Sequence, residues 1–588
     1  MPYLVKRINY SFLRKKIFRR EVEASFYSNR KFPLPVVPKI KEAGIQEFKK
    51  LFPFRFFNDL VEWNSSKLLL GKLEVKNEII LNAGKLLDNK FNLNGDEIEL
   101  GENISWDKDY ISGYQWEKNL HWKSNPFKTP HGTDIKNAWE IARFHQGISL
   151  GKAYLLTDDE KFTEKYIMLF NNFKINNPFC AGVNWVDSSE VAIRLINVVY
   201  SLSFFIDSPL INELFINDFR DFVLFHSVFI ENNLDYSRHR GSSYLTNLLG
   251  LAFVGLLFKD HHYGLKNINF AYHNLEQDIR SQVHEDGISY EQSIPYHYVN
   301  LEIFYLGKVI LEHYSYKFSE GYNRLLQNMF SAQYHYLRED KTVPQLGDSI
   351  ASRILPFNLI DNDMNYSSPL SVGAYLFNDG NYKTFFPDGT AGLLFLFGPG
   401  FIQDYTKIPL EYIPKRSIGF VIGGHYFLRG KNIDIFVEAG EIGRRGEGAP
   451  GHSDIFSFEL NYHGQQFIID PGTYSIFANP DLRNRFRSIR NHNSVYVDDM
   501  QISHTHPKIL EWKSNNDEDI LSFQHFAYIK FPDPVICKRT FIFNKEILNL
   551  KIKDELIGGA EHLVNANIHF HPSVLLEKIG DNHYFASH

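Results

Sequence analysis

Cysteine is almost missing from this chain: 588 residues carry only Cys180 and Cys537. With no CxxC pair, a thiolate zinc site, a dithiol redox motif and a disulfide scaffold are excluded. A charge block of one sign is missing too. Lys and Arg total 63 against 69 Asp and Glu, a net charge of −6, and no basic run is long enough to neutralise a phosphate backbone, so nucleic acid is not an expected partner. The longest apolar run, Leu248 to Phe258, falls short of the ~20 residues that span a bilayer and reads as a core helix. The N-terminal MPYLVKRINYSFLRKKIFRREVEASFY has a signal peptide's positive charge without the apolar stretch that should follow. It reads as a solvated basic helix, with weak membrane-surface contact as the alternative, and the chain by itself reads as cytoplasmic.

What is present is an ordinary globular composition, 44% hydrophobic and 22% charged, over a length that suggests two to four domains at roughly 150 residues each. Aromatic residues make up 15%, with 51 Phe, 32 Tyr and 7 Trp, suited either to large core side chains or to sugar-stacking platforms. Residues 1–110 are mixed, with short β-like runs at Glu78–Asn82 and Glu97–Gly101. From about Asp134 to His335 the apolar period is helical, as in IKNAWEIARFHQGISLGKAYLL and SYLTNLLGLAFVGLLF. After about Gly380 period-2 segments dominate, among them IDIFVEAG and RTFIFNKEILNLKIKDELI, separated by Gly, Asn and Asp. Without helical crossovers the strands pair antiparallel. The expected architecture is a mixed extension (1–110), an all-α domain (111–375) and an antiparallel β-sandwich (376–588), joined by a turn-rich linker near 360–390.

Three segments concentrate titratable groups in turns. Tyr236-Ser-Arg-His-Arg-Gly-Ser-Ser-Tyr244 puts Arg238, His239 and Arg240 beside hydroxyls at a helix start, an anion site by virtue of free N–H groups or a plain Ser242/Ser243 N-cap. Glu285 to Tyr298 carries Glu291, Tyr296 and His297 ahead of an apolar helix, residue types that move protons when charge tunes them, or a buried hydrogen-bonded tyrosine. In the β part, His452, Asp470 and His492 sit at strand ends and make either a three-ligand zinc set with an open position or a hydrogen-bonded cluster between strands.

These segments carry a resemblance. DIKNAWEIARFHQ, NWVDSSEVAIRLIN, GSSYLTNLLGLAF, EDGISYEQSIPYH, VPQLGDS, GHSDIFSFEL, IIDPGTY and RNRFRSIRNHNSVYVDD follow one another in order over roughly residues 100–500. Together they resemble the heparinase II/III family of polysaccharide lyases, and most of all its branch found with bacterial surface-polysaccharide genes. The resemblance implies an α/α toroid, an incomplete helical barrel, followed by an antiparallel β-sandwich. It implies β-elimination on a uronic-acid, glycosaminoglycan-like acidic polysaccharide, with no organic cofactor. A structural zinc on His452, Asp470 and His492 is also implied. Tyr296 matches the family's acid and often base. Candidate catalytic residues are therefore Tyr296 and His297 with Ser242 and His239. Arg238, Arg240, Tyr244, Glu291 and Arg444 are candidates for holding substrate. The family habit makes periplasm or cell envelope the alternative location.

Two departures stand out. The family's Asn-His before Tyr-Leu reads Ser242-Ser243, so the amide that neutralises the substrate carboxylate is missing. The first His of the family's His-x-His-x-Asp reads Pro450, which can neither accept nor donate a proton. Three functions are consistent with this: a lyase in which Arg238, His239 or Arg240 replaces the amide, a glycan-binding scaffold with the chemistry lost, or a glycoside hydrolase. The last needs two opposed carboxylates, and Glu285, Asp286 and Glu291 lie on one loop without an evident partner.

Overall fold

The computed structural model describes residues 44–588, apart from 55–59, 94, 125, 238, 350–352, 358–364, 447, 449 and 503–504. The basic N-terminal segment, Arg238 and the first part of the turn-rich linker thus lie outside the described residues. The chain divides into two compact units: one of residues 1–237, 246–272 and 354–362, the other of residues 238–245, 273–353 and 363–588.

The first unit is helical. Its helices include Ile135–Ala142, Gln146–Thr157, Lys161–Asn176, Ser188–Phe205 and Glu213–Asn232. Their starts follow from local chemistry. The Asp134 carboxylate accepts from the Lys136 amide, and Asp187 accepts from Ser189 and Glu190, filling donors that a helix N-terminus leaves open. Ser188–Phe205 buries residues all round its circumference, as an interior helix does. Its neighbour Gln146–Thr157 approaches so closely that a Cβ on Gly151 would stand 2.4 Å from Phe204 Cδ2. Within this packing Arg143 is held by Glu190 at 2.6 and 2.7 Å. The apolar run from Leu248 forms core in the helix Ser242–Leu257, and among the described residues no helix is long and apolar enough to cross a membrane.

The second unit contains the helices Ile294–His313 and Glu320–Tyr336 and the sheets. A five-stranded antiparallel meander runs through Ile418–Phe420, His425–Gly430, Ile433–Glu438, Phe458–Tyr462 and Gln465–Ile468; a four-stranded one runs through Lys508–Ser514, Glu518–Tyr528, Val535–Asn544 and Asn549–Ile557. Leu428 pairs with Ile435 and Ile435 with Leu460 in the first; Leu521 pairs with Phe541 and Phe541 with Ile552 in the second. Tyr426, Leu428, Ile435 and Val437 share one apolar core with Leu521, Phe523, Phe541 and Phe543, so the sheets pack face to face as a sandwich. Every second residue of Val535–Asn544 is buried, the alternation that period-2 patterning demands.

Local readings differ in two places. Glu78–Asn82 lies in the helix Lys76–Leu87, whose Ile79, Ala83 and Leu86 are buried at helical spacing, while the second β-like run does contain a strand, Asp96–Glu99. Four short helices, Pro369–Phe377, Gly380–Lys383, Ala391–Phe397 and Phe401–Tyr405, occupy the stretch before the first sandwich strand. AGLLFLF is apolar throughout, and a run without alternation carries no period to separate helix from strand.

Candidate active site

The site residues lie in the second unit. Ser293 caps the helix Ile294–His313, its hydroxyl accepting from the Tyr296 amide at 3.4 Å, and Pro295 sits in the first turn, where no N–H is needed. Tyr296 is half-buried. Among the described residues nothing hydrogen-bonds its hydroxyl. Burial raises its pKa, and Glu291 and Asp348 raise it further, while Arg444 and Arg483 pull it down; the net shift is upward. At rest the phenol is protonated and faces charges of both signs.

Those charges come as two pairs. Arg444 donates to Glu291 Oε1 through Nε at 2.9 Å and Nη2 at 2.5 Å, and Asn300 donates to Glu291 Oε2 at 2.8 Å. Arg483 Nη2 donates to Asp348 Oδ2 at 2.5 Å. Both carboxylates are buried, whereas the arginine side chains keep 24% and 23% exposure. Burial alone would raise the Asp348 pKa, but hydrogen bonds from His452 and Arg483 hold it down at about 2. Each guanidinium is therefore anchored on a buried carboxylate while its side chain stays part-exposed, an arrangement that suits a second, incoming carboxylate. Gly241 makes the first pair possible: a Cβ there would stand 2.3 Å from Arg444 Nη2 and 2.5 Å from Glu291 Oε1.

Residues 88–364 match the family model for the heparinase II/III N-terminus, and residues 413–586 match that for the heparinase II/III-like C-terminal domain. The chain belongs to the heparinase II/III family. It is 21% identical over 428 residues to a heparin-sulfate lyase of Pedobacter heparinus, covering 71% of this chain and 59% of that one. To a heparin-sulfate lyase of Bacteroides thetaiotaomicron it is 23% identical over 532 residues, covering 84% and 68%. A solved heparan sulfate lyase from Pedobacter heparinus superposes with a TM-score of 0.54 at 19% identity, covering 96% of this chain and 77% of that one. A crystal structure of heparinase III gives 0.62 at 17% identity, covering 97% and 80%. The fold is the family's α/α toroid followed by an antiparallel β-sandwich. The chain spans about three fifths of the length of the Pedobacter lyase it matches.

Within this heparinase II/III chain the remaining candidates fall into distinct places. Arg240 Nη2 pairs with Asp278 Oδ1 at 3.1 Å, and its guanidinium lies 5.2 Å from the centre of the Tyr244 ring. Tyr244 is fully buried, its hydroxyl donating to Asn274 at 3.1 Å. His239 is partly buried and Ser242 buried at the helix start, while Arg238 lies outside the described residues. His297 is buried, its Nε2 lies 3.2 Å from the Met329 carbonyl, and burial lowers its pKa to about 3. Pro450 has a backbone task, its carbonyl accepting from the Asp348 amide at 2.8 Å.

Sequence reasoning missed Asp348, Arg483 and His425. The imidazole of His425 is buried, with Nδ1 2.6 Å from the Tyr336 hydroxyl and Nε2 2.8 Å from Gln292 Oε1. Because Gln292 donates its amide to the Gly423 carbonyl, its oxygen must accept, so His425 carries its proton on Nε2 and accepts from Tyr336. Burial lowers the His425 pKa to about 3 and pushes Glu438, 3.1 Å away, well above the carboxylate range. The VPQLGDS motif held Asp348, and RNRF held Arg483, but neither motif says which arginine meets which carboxylate.

The candidate zinc residues lie close together. His492 Nδ1 is 2.6 Å from Asp470 Oδ2, His452 Nε2 is 3.3 Å from Asp348 Oδ1, and the two imidazole rings are 5.5 Å apart. His452 Nδ1 and His492 Nε2 are buried without a hydrogen-bond partner, so the donor chemistry suits a metal. As placed, the side chains do not converge: among the described residues no three His, Cys, Asp or Glu could hold one ion.

Proposed function

We propose that this chain is a polysaccharide lyase that cleaves a uronic-acid-containing acidic polysaccharide by β-elimination, in bacterial surface-polysaccharide metabolism. The observation that carries this reading is Tyr296, kept protonated by burial and within electrostatic reach of Arg444 and Arg483. The relatives named as heparin-sulfate lyases support the reaction class. The C5 proton of a uronate is only weakly acidic beside a carboxylate, so positive charge must first neutralise that carboxylate and then stabilise the enolate-like dianion. The part-exposed side chains of Arg444 and Arg483 supply it where the family uses the amide replaced by Ser242. Tyr296 passes its hydroxyl proton to the leaving glycosidic oxygen and takes up the C5 proton. The C5–H and C4–O bonds break, C4=C5 forms, and the phenol ends protonated. Glu291 and Asp348 position the arginines.

Incubation with a panel of acidic polysaccharides tests this by ultraviolet absorbance of the unsaturated uronate. A rise that disappears in Tyr296→Phe supports the lyase. Binding with no rise on any polymer supports the scaffold reading, for which the loss of two family identities at Ser242 and Pro450 speaks. We also propose a structural zinc on His452, Asp470 and His492, supported by the two unpartnered imidazole nitrogens and tested by metal analysis of the purified protein.

A further inference from the structure

A second concave site lies elsewhere in the second unit. Its cavity of about 270 Å³ is lined by Tyr334, Asn381, Ile413, Lys415, Arg416 and Ser417, among others. A cavity on that scale has room for one sugar ring. Lys415 closes the helix Glu320–Tyr336: its Nζ donates to the Tyr334 carbonyl at 2.6 Å and to the Leu337 carbonyl, and stands 4.3 Å from the centre of the Tyr334 ring. These are orphan carbonyls of a helix C-terminus, so the ammonium is oriented without being neutralised, and among the described residues no carboxylate lies within ion-pair distance of it. Arg416 is exposed, and its guanidinium has no partner among the described residues. Tyr412 is 81% exposed next to Ile413, which lines the cavity and is 57% exposed, an aromatic and apolar rim of the sort on which a pyranose face packs.

The surrounding charges are of both signs, and Asp379, which acts on the Tyr334 side of the cavity, is among the negative ones. Arg429, on the strand His425–Gly430, repels Lys415, while Asp434 on the next strand and Glu339 after the helix attract it. Asp434 is already engaged by Arg429 Nε at 3.0 Å. His335, which contacts Arg429 through Nδ1 at 3.0 Å, is held neutral by burial, its pKa near 2. Ser417 donates to Asp519, which Lys545 pairs at 2.7 Å. An anion in the cavity would relieve the repulsion between Lys415 and Arg429.

We propose that this cavity is a second carbohydrate subsite, in which Lys415 and Arg416 take the carboxylate of one uronate unit and the Tyr412 edge packs on its ring. The choice of a uronate rests on the lyase reading; the existence of an anion-binding cavity does not. Burial and Arg429 lower the Lys415 pKa to about 7. Two consequences follow. The neutral amine is present near neutrality and open to acylation, and anion binding, which favours the ammonium, weakens as pH rises through that value.

Competitive labelling with acetic anhydride and peptide mass mapping reads Lys415 directly in the wild-type protein. Glucuronate is expected to slow Lys415 acetylation about tenfold at saturation, with glucose and acetate ineffective and protection reduced in Arg416→Ser. Protection by acetate equal to that by glucuronate would reduce the cavity to a general anion site and overturn the carbohydrate assignment. No protection by any probe would overturn the site altogether. The same labelling on Tyr296→Phe separates the two readings: the footprint persists there when elimination is lost, and a Tyr296→Phe protein that still eliminates sinks the lyase while the Lys415 footprint decides the subsite by itself.

Discussion

Glu291 and Arg444 meet at 2.5 Å across 153 residues of sequence, the carboxylate fully buried and the guanidinium part-exposed. The pair makes unequal demands on its two members. Arg444→Met strands a buried carboxylate and is expected to cost about 3–5 kcal/mol, because removal of one partner leaves an uncompensated charge. Glu291→Gln keeps a hydrogen-bonding group and is expected to cost less. Urea unfolding of both variants measures the difference, and equal losses would contradict the anchoring role given to Glu291.

Tyr296→Phe separates chemistry from stability. Its hydroxyl has no hydrogen-bond partner among the described residues, so the substitution should leave the unfolding midpoint close to wild type. If the phenol is the proton carrier, elimination should fall by about 10³-fold or more, since general acid and base assistance are lost together.

Gly241→Ala tests the arginine's placement without touching any charge. The added methyl group collides with the Arg444 tip and the Glu291 carboxylate, and the guanidinium is the part able to move. The expected result is a fall in turnover of about 10²-fold with a change in stability of only about 1–2 kcal/mol, the pattern seen when a charge that stabilises the transition state is misplaced. Wild-type rates in this variant would show that Arg444 has no part in catalysis.

His297 and His425 make the second unit acid-labile. Burial lowers both from an ordinary value of 6.5 to about 3, so the unfolded chain takes up their protons first as pH falls. The contribution of these two histidines is complete above pH 6.5 and is lost downward from there, by up to about 1.4 kcal/mol per pH unit for each residue, while the raised carboxyl of Glu438 acts in the opposite sense. Denaturant midpoints measured from neutral pH downward should show this slope, and His425→Gln should flatten it.

Much of the fold was legible because local patterns declare it. The helical period from about Asp134 to His335 and the alternation in Val535–Asn544 follow from spacings of two to four residues, whereas Tyr296, expected ahead of its helix, lies inside the first turn of Ile294–His313. Where apolar residues run without period, as in AGLLFLF, the sequence carried no such signal, and short helices occupy a stretch expected to belong to the sandwich domain.

The amino-acid sequence by itself determined the order of the helical and strand-rich regions and the family, and it singled out Tyr296 as the candidate phenol. The tertiary structure decided the electrostatics around it: which arginine meets which carboxylate, that Asp348 and Arg483 join across 135 residues, and that His425 lies buried against Tyr336. Hydrogen bonding along the chain has a fixed spacing, so sequence encodes it. Ion pairing and desolvation depend on distance through space and on exclusion of water, and both arise only once the helices and sheets have packed.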